Sequence, residues 1–571
     1  MVRNATRAVL SAALSLLSVS AQAGDGAPAA CMISGTVTDS RTGAPVPGAT
    51  VEIAALGSDQ HEFRRSGSAP LNRIPPARPS HRTESDARGA FRFDSLPTGR
   101  YVLTAKKTGF LDSPYGAARP SQLSAIVRCG DGEPVEANLR LIAQGVITGR
   151  VVNERGEAVE AGVVQALSRV WVNGKPRYTL VRGARPNDLG EYRLAGLPPG
   201  TYFVRFQPSG SSAVMSGEAL AGAAPVPTYH PFAAALIEAT AVPVRAGERA
   251  AGKDITVREA RTYSISGVLR AAGRAPEFAS LTLLPEGEEP TALLVGNNML
   301  GPEGTFRLTN VPSGDYHLMY LAGTDQGISS GRVDVRVADE DVKDLLIEAP
   351  PPVSVEGVVR IEDSESGASV PVSETKILIT AADVLIGPSY SAEVADDGRF
   401  VLEACSPGRY LAEIEPPRGM YVSSVRYGGS DVAGRPFTIT GGGAIHITLR
   451  RGSAQLTGTI VPPKDSGSAT PVSAGGAYFL LIGRRGDGSP SVERFGYSDS
   501  RGTFTLTGLA PGRYHVLALA SPDPKAFEAP AVVAALARLG TEVELTENDR
   551  LAVTVALVGA EEAERAFGRA N

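Results

Sequence analysis

The sequence is poor in the residues that most reactive centres need. Its 571 residues include three cysteines, one tryptophan and six histidines. Three cysteines in a chain of this length do not make a disulfide scaffold. The 56 lysine and arginine residues are outnumbered by 61 aspartate and glutamate residues, and the formal charge is −5. This balance argues against nucleic acid as a partner, because nucleic-acid binding favours a basic footprint.

Long hydrophobic runs are also scarce. The apolar segment 8–19 follows Arg3 and Arg7 and precedes Ala21-Gln-Ala23. A basic start, a short apolar run and a small-x-small site are typical of a secretory signal peptide, and the run is too short to span a membrane. We therefore predict a signal peptide over 1–23 and an exported protein, periplasmic or extracellular, with no transmembrane segment in the mature chain.

What the sequence does have is a repeat. In five places a glycine is followed two residues later by an aromatic residue, ten residues later by a second glycine, and then by a tyrosine two positions further on. The copies begin at Gly89, Gly190, Gly304, Gly398 and Gly502 and end at Tyr101, Tyr202, Tyr316, Tyr410 and Tyr514. Self-similarity of this kind indicates an array of similar domains.

Each copy predicts a β-hairpin. The aromatic residue and the apolar residue two positions later share one face of a strand, and the residues from the tyrosine onward alternate again. Between them lies a Pro-Gly segment with turn chemistry. We expect the second glycine, for example Gly200, to need φ > 0 in this turn, so that Gly200→Val would destabilise the domain.

A second signature, apolar-x-Gly-x-apolar, opens every unit. Its glycines are Gly35, Gly149, Gly267, Gly357 and Gly458. A glycine inside a strand pattern usually marks a bulge or a close backbone approach. Short strands separated by turns, in units of about 100 residues, are typical of small β-sandwiches.

These patterns predict an all-β fold, a tandem rod of about five small β-sandwich domains. One short helix is expected near 531–539, with Pro530 in its first turn and Gly540 at its end. The predicted segments are a signal peptide at 1–23, sandwiches at 31–143, 144–260, 261–350, 351–453 and 454–559, the last with the helix, and a polar tail at 560–571.

The cysteines suggest one disulfide. Cys31 begins the first strand of the first unit and Cys129 lies in a late strand of the same unit. The first and last strands of a sandwich are often close, and exported proteins meet an oxidising compartment, so we predict a Cys31–Cys129 bridge. Lipid attachment at Cys31 is the alternative, but the apolar run ends too early for it. Cys405 stands where the other units have leucine or valine, which favours a buried apolar role.

The first unit resembles a known family. Its Ile33-Ser-Gly-Thr-Val, Thr42-Gly-Ala-Pro-Val-Pro-Gly-Ala, Gly89-x-Phe-x-Phe and Leu96-Pro-x-Gly-x-Tyr elements are similar to those of carboxypeptidase regulatory-like domains. The resemblance implies a seven-stranded, transthyretin-like (prealbumin-like) sandwich related to the carbohydrate-binding-like fold. It is good in the second unit and partial in the others, which lack the Pro-Val-Pro-Gly-Ala element. Nearly the whole chain resembles bacterial secreted proteins built from such tandem domains, and this resemblance implies no settled activity.

Catalytic motifs are weak. The regulatory domain is named for its place beside a zinc carboxypeptidase, whose site resembles a His-x-x-Glu pair with a distant histidine. His81 and Glu84 have that spacing, but no peptidase domain surrounds them, which favours a chance match. Ser329 lies in a Gly-x-Ser-x-Gly motif, the pattern of a nucleophile elbow, yet alternating residues follow it, which favours a hairpin loop. The acidic turn residues at 396–398 and 499–502 favour Asx turns over calcium sites.

Candidate sugar contacts are sought among the aromatic residues. Trp171 precedes an Asn-Gly hairpin turn, and Tyr178 follows that turn. Exposed rings beside a turn make a plausible platform for a sugar, and the alternative is a tryptophan that covers the edge of the core. Trp171 and Tyr178 are therefore the candidate carbohydrate contacts.

Two functions remain open. The first is a non-catalytic exported scaffold, adhesion or interaction module at the cell surface or in the periplasm, with a protein or polysaccharide partner. The second is a carbohydrate-binding protein that uses one or more of its sandwiches. Neither requires a cofactor, a metal or a catalytic residue, and nucleic acid is not an expected partner.

Overall fold

The structure is a computed structural model. It describes residues 31–56, 81–116, 124, 126–130, 134–172, 175–209, 223–288, 300–324, 327–362, 371–382, 388–441, 443–462, 474–484, 488–499, 501–519, 530–559, 562–563 and 565–566. The predicted signal peptide and most of the predicted tail lie outside these residues. No helix in the described ranges is both long enough and apolar enough to span a membrane.

The described chain is built from short strands. The first sandwich contains β1 (Cys31–Asp39), β2 (Thr50–Leu56), β3 (His81–Glu84), β4 (Ala90–Leu96), β5 (Gly99–Lys106), β6 (Phe110–Leu111), β7 (Ser113–Pro114), β8 (Val127–Cys129), β9 (Val135–Glu136) and β10 (Leu139–Ala143). The next strands are β11 (Gly145–Val152), β12 (Gly162–Val172), β13 (Lys175–Ala184), β14 (Glu191–Leu197), β15 (Gly200–Pro208), β16 (Ala223–Pro225), β17 (Thr228–Tyr229), β18 (Val242–Val244), β19 (Arg249–Ala250) and β20 (Ile255–Thr256).

The remaining elements continue the pattern. They are β21 (Glu259–Ala271), β22 (Phe278–Pro285), β23 (Thr305–Pro312), β24 (Gly314–Thr324), β25 (Gly327–Val337), β26 (Val342–Ala349), β27 (Val353–Ile361), β28 (Lys376–Ala381), β29 (Ser389–Ala392), β30 (Arg399–Cys405), β31 (Gly408–Glu415), β32 (Met420–Tyr427), β33 (Ser430–Asp431), β34 (Phe437–Ile439), β35 (Ala444–Arg451), β36 (Ala454–Val461), β37 (Tyr478–Arg484), β38 (Pro490–Tyr497), β39 (Thr503–Leu509), β40 (Gly512–Leu519), α1 (Pro530–Ala537), β41 (Thr541–Leu545) and β42 (Arg550–Val558). Single 3-10 turns occupy Leu236–Glu238, Pro302–Gly304 and Val372–Glu374.

These strands pair into a tandem array of about five sandwiches, which confirms the predicted fold class. In the first sandwich the sheet β4-β1-β10-β6 lies against β3-β2-β5-β7, and a single apolar core fills the space between them. The second repeats this plan with β14-β11-β19 and β13-β12-β15-β17. The third uses β16-β21-β23 and β22-β24-β25, and the fourth β30-β27-β35-β32-β33 and β29-β28-β31-β34. Strand β16 precedes the last strands of the second sandwich yet pairs with β21 of the third.

The two sequence signatures meet in the structure. In every sandwich the glycine of the opening strand pairs directly with the aromatic residue of the repeat, as Gly35 does with Phe91 and Gly357 with Phe400. A Cβ on Gly357 or Gly458 would overlap the ring of that aromatic residue, and one on Gly149 would overlap a backbone carbonyl. The opening glycine is therefore required for close approach, as the strand pattern predicts.

A bulge next to this pair also repeats. The register between opening strand and aromatic strand shifts once in each sandwich, between Cys31 and Ile33 in the first. The residue that accommodates the shift adopts a left-handed conformation, and these residues are Ser95, Gly196, Asn310, Ala404 and Gly508. Since an extra residue bends a strand and increases its twist, the bulge shapes the same corner in each unit.

The left-handed glycine of the turn is not the one that we predicted. Gly200 is not in the left-handed region, and the nearest atom to a Cβ built on it is the Tyr202 hydroxyl at 3.7 Å. The first glycine of each copy is left-handed instead, with φ +75° at both Gly89 and Gly190, and it lies in the turn before the aromatic strand, not in the Pro-Gly turn. Proline and glycine together indicate the turn between β14 and β15, but this turn does not require a positive φ at its glycine.

The repeat tyrosine has a hydrogen-bonding role that the alternation pattern does not reveal. Each hydroxyl donates to the backbone carbonyl four residues upstream, from Tyr101 to Pro97 at 2.6 Å and from Tyr316 to Pro312 at 2.9 Å. The same bond forms at Tyr202, Tyr410 (2.6 Å) and Tyr514 (2.8 Å). Each tyrosine thereby fills the core with its ring and closes the turn with its hydroxyl, as in the tyrosine corner of other sandwiches.

Burial of these and other tyrosines predicts unfolding at high pH. Burial raises the pKa of Tyr202 from 10 to about 12, and it has the same effect on Tyr115, where the charges of Asp499 and Glu136 add to it. Since the folded pKa lies above the unfolded one, this stabilisation is complete below pH 10 and is lost as the pH rises towards 12. We expect tyrosinate absorbance and loss of β-sheet circular dichroism to appear together in this interval. For Tyr202→Phe we expect stability at pH 8 to fall by about 1 kcal/mol and the pH dependence to weaken. Full titration of all tyrosines near pH 10 in a folded protein would contradict this.

The fifth sandwich differs because a helix covers its outer face. Strand β37 is buried on both sides: Phe479 and Leu481 face the sandwich core, while Tyr478, Leu480 and Ile482 pack with α1. Its strands join into one sheet of order β38-β37-β40-β42-β36-β39. The run of apolar residues in β37 follows from burial on two faces, for which period-2 alternation is not required.

The array is not a straight rod. Arg128 of the first sandwich lies 3.7 Å from Asp499 of the fifth. A Cβ on Gly476 would overlap the backbone of Gly116, so the two sandwiches touch through glycine backbone. Pairwise linkers constrain only neighbouring domains, which is why the repeat pattern could not predict this contact.

Candidate binding site

The candidate sugar platform lies on the β12–β13 hairpin of the second sandwich. The register places Trp171 opposite Pro176 and Tyr178 opposite Arg169. Trp171 and Tyr178 are therefore diagonal neighbours on one hairpin, a spacing that aromatic side chains can bridge. The Asn173-Gly174 turn and the tryptophan side chain lie outside the described residues.

Tyr178 is engaged with its surroundings. Its ring packs edge-on against Phe203 with 5.4 Å between the ring centroids, and the side chain is half-buried. Its backbone N–H donates to the carbonyl of Gly287 at 2.9 Å, and its backbone bridges to Glu288. Because residues 287 and 288 belong to the third sandwich, Tyr178 sits at the junction between two units.

That junction contains a buried ion pair. The guanidinium of Arg205, on β15, bonds the carboxylate of Glu288, and both side chains are less than 10% exposed. Tyr229 donates its hydroxyl to the same carboxylate at 3.1 Å, and the Gln165 side-chain oxygen accepts from Arg205 at 2.7 Å and 3.0 Å. Burying a charge is costly unless it is paired and hydrogen-bonded, so this network holds the second and third sandwiches in one orientation.

The next junction is also polar. Ser406 of the fourth sandwich accepts a hydrogen bond from the backbone of Ser330 and donates one to the carbonyl of Ile328, both at 3.1 Å. Its own backbone N–H donates to the Tyr390 hydroxyl at 2.9 Å. The start of β25 in the third sandwich is therefore tied to the fourth.

Two of the three cysteines form a disulfide and the third is a free thiol. Cys31 opens β1 and Cys129 ends β8, and the two are joined by a disulfide with 5.8 Å between their Cα atoms. Both are buried in the core of the first sandwich. Cys405 is a free, buried thiol, and burial raises its pKa to about 11. A thiol held in this state is a poor nucleophile, because the thiolate is the reactive form.

The structure separates the candidate metal ligands His81 and Glu84. Both lie on β3, paired with Ile53 and Thr50. Side chains three residues apart on a strand point to opposite faces, whereas on a helix they would share one. The His-x-x-Glu spacing therefore brings no two ligands to one ion here. Within the described ranges no three His, Cys, Asp or Glu side chains are grouped as a metal site.

Ser329 is in a strand, where we expected a hairpin loop. It lies on β25 opposite Ala322, is 2% exposed, and its hydroxyl has no hydrogen-bond partner among the described residues. Since β25 continues to Val337, no strand-to-helix elbow forms.

The acidic turn at Asp499 is an Asx turn: its Oδ1 accepts from the N–H of Arg501 at 3.0 Å and of Thr503 at 2.8 Å.

Comparison with known structures gives weak similarities. The chain is similar to the minor pilin GBS52 of Streptococcus agalactiae (13% identity, 40% of this chain, 97% of the pilin, TM-score 0.21). It is similar to the shaft pilin SpaA of Lactobacillus rhamnosus GG (10%, 40%, 97%, TM-score 0.18). It is also similar to two B repeats of the collagen binding protein of Staphylococcus aureus (12%, 74%, 99%, TM-score 0.13). At these values the similarity carries no conclusion about function.

Sequence comparison gives a family for the first sandwich. No curated protein matches the chain. Residues 32–140 match the carboxypeptidase regulatory-like domain family. This range covers nearly all of β1 to β10 and both sheets of the first sandwich. The first of the tandem β-sandwiches therefore belongs to the carboxypeptidase regulatory-like domain family.

Proposed function

We propose that the chain is a non-catalytic exported protein whose sandwiches form a scaffold, adhesion or interaction module in the periplasm or at the cell surface. The observation that carries the proposal is the buried Arg205–Glu288 junction. Domains that were only tethered and moved independently would keep these two charges in water, because desolvating a charge pair is costly. A fixed junction supports the display of surfaces in a constant arrangement.

The placement of reactive side chains supports the non-catalytic part. Catalysis needs a nucleophile or metal, a base and a charge-stabilising group that converge on one point. His81 is exposed on an edge strand of the first sandwich, while Ser329 is buried in the third. The side chains of His81 and Glu84 point to opposite faces of β3, and Ser329 is held within β25 instead of at a strand-to-helix turn.

Two measurements test this proposal. Mature protein should show no turnover of peptide, ester or glycoside substrates above a boiled control, with or without added zinc or calcium. In cell fractionation the full chain should lose residues 1–23 and appear in the periplasm or at the surface. Activity abolished by Ser329→Ala or by His81→Ala would overturn the first statement, and an unprocessed cytosolic chain the second.

The second candidate function is carbohydrate binding through the β12–β13 hairpin. Its support is the diagonal register of Trp171 and Tyr178. Aromatic rings carry large apolar area and stack on the apolar faces of sugars. A glycan array should then give binding that Trp171→Ala removes, whereas Tyr390→Phe, on the distant fourth sandwich, should leave it intact. Equal binding by Trp171→Ala and the parent would exclude this platform.

A further inference from the structure

The outer face of one sheet in the second sandwich carries a basic cleft of about 700 Å³. Its charged lining consists of Arg150, Arg185, Arg193, Arg249, Glu191 and Asp254. Four positive and two negative charges leave an excess of positive charge, on a chain whose formal charge is −5. All six side chains belong to exposed residues.

Strand pairing assembles the cleft from distant parts of the sequence. Strand β11 lies between β14 on one side and β19 and β20 on the other. Arg150 on β11 stands opposite Glu191 on β14, and Thr148 stands opposite Arg193. Since Ile147 and Val151 are buried, alternation turns Arg150 to the outer face. Arg185 comes from the connection between β13 and β14.

The interruption between β19 and β20 completes the cleft. The backbone N–H of Arg150 donates to Asp254 Oδ1 at 2.8 Å, where a continuous strand would offer a carbonyl. The backbone N–H of Lys253 donates to the Thr148 carbonyl at 3.0 Å. Tyr192, buried below, donates its hydroxyl to the Lys253 carbonyl. Arg249 and Asp254 are therefore fixed on opposite sides of this interruption.

The arginine side chains retain free donors. The Nε and Nη2 atoms of Arg150 donate to the Leu189 carbonyl at 3.2 Å and 3.0 Å, which orients its guanidinium. None of the four guanidinium groups forms an ion pair with a carboxylate of the described residues. Like charges placed together without partners are unfavourable, so the cluster stabilises the sandwich less than neutral residues would.

The fold does not require these arginines. The position after the opening glycine, Arg150 here, is occupied in the other sandwiches by Thr36, Val268, Val358 and Thr459. The same sheet therefore forms with small neutral side chains at that position. The position after the repeat aromatic is arginine in three sandwiches, but only the second combines it with arginines on the two neighbouring segments.

We propose that this cleft binds an acidic saccharide, a sugar chain that bears carboxylate groups. Planar guanidinium groups match carboxylates with two parallel hydrogen bonds. Glu191 and Asp254 accept hydrogen bonds and suit sugar hydroxyls, while they repel the dense charge of a phosphate polymer. The site is separate from the Trp171–Tyr178 hairpin turn and goes beyond the scaffold function proposed above.

The test is calorimetric titration of the full mature chain with oligogalacturonate, with neutral dextran oligosaccharide, inorganic phosphate and duplex DNA as comparison ligands. We expect binding of oligogalacturonate that weakens with added salt. The double variant Arg193→Ser with Arg249→Ser should lose about tenfold or more in affinity. Arg150 is not substituted because its guanidinium also donates hydrogen bonds to the Leu189 carbonyl, so its loss would affect the local structure as well as binding.

Arg307→Ser is the matched control. Arg307 is the exposed residue after the repeat aromatic of the third sandwich, opposite Ser266, and is outside the cleft. It should bind like the parent, and circular dichroism should show all variants folded. The proposal is overturned by no oligogalacturonate binding, by equal losses in control and double variant, or by tighter binding of phosphate or DNA. Loss in Trp171→Ala with none in the double variant would also overturn it and leave the hairpin platform standing.

Discussion

Replacing Cys31 and Cys129 together with serine is expected to cost the first sandwich up to roughly 4–5 kcal/mol of its free energy of unfolding. The bridge joins residues 98 positions apart, and closing so long a loop removes much conformational freedom from the unfolded chain. Thiol titration of the mature protein under denaturing conditions should find one free thiol, that of Cys405. Hydrogen exchange measured by mass spectrometry on the full chain should show increased exchange confined to the first sandwich in the double variant.

Cys405→Ala provides the control for this experiment. It should abolish the remaining thiol signal and leave exchange in the first sandwich unchanged, because Cys405 packs in the core of the fourth. Three free thiols in the mature parent protein would show that the bridge does not form. A reactive Cys405 in the native protein would contradict its burial.

Replacing Gly190 with valine is expected to destabilise the second sandwich by about 3 kcal/mol or more. Gly190 has φ +75°, and a Cβ there would overlap the carbonyl oxygen of Val151. That carbonyl belongs to the opening strand β11, and the N–H of the same Val151 donates to the Gly190 carbonyl at 2.8 Å. The strain therefore falls on the pairing of β11 with β14, and exchange in both strands should rise.

Gly200→Val is the matched control, ten residues away in the same repeat copy. Gly200 is outside the left-handed region and has room for a Cβ, so the change should cost less than about 1 kcal/mol. If both variants were equally destabilised, the assignment of the left-handed position to the first glycine would be wrong. If neither were, the close contact with Val151 would have relaxed.

Much of the fold can be predicted from the repeat. The alternation around Phe91 and the opening Gly35 predict two strands, and the structure pairs these residues directly. The local pattern predicts these strands because a strand buried on one face alternates apolar and polar residues, and because the position opposite an aromatic ring has room only for glycine. The helix near 531–539 is likewise predicted by its proline and glycine ends, and α1 covers Pro530–Ala537.

The remaining features depend on contacts between segments far apart in sequence. The Tyr101 hydroxyl bond is local and repeated five times, so the constant Gly-x-Tyr spacing after the turn was a signal that alternation alone did not use. Arg205 and Glu288 are 83 residues apart and meet only because two sandwiches dock. The arginine cleft required knowledge that β11 pairs with β14 and β19 together. No periodicity within one strand contains that information.

The contact between the first and fifth sandwiches has a mechanical consequence. Its ion pair joins Arg128, which is 53% exposed, to Asp499, which is 11% exposed, and because solvent reaches Arg128 we expect the pair to contribute about 1 kcal/mol. Tension that separates these two sandwiches would break this contact first, since every core is held by many buried residues. Single-molecule stretching would record an early extension at low force, ahead of any domain unfolding. The array can therefore lengthen when the first and fifth sandwiches separate and shorten again when they re-form their contact. Every β-sheet stays intact during this change.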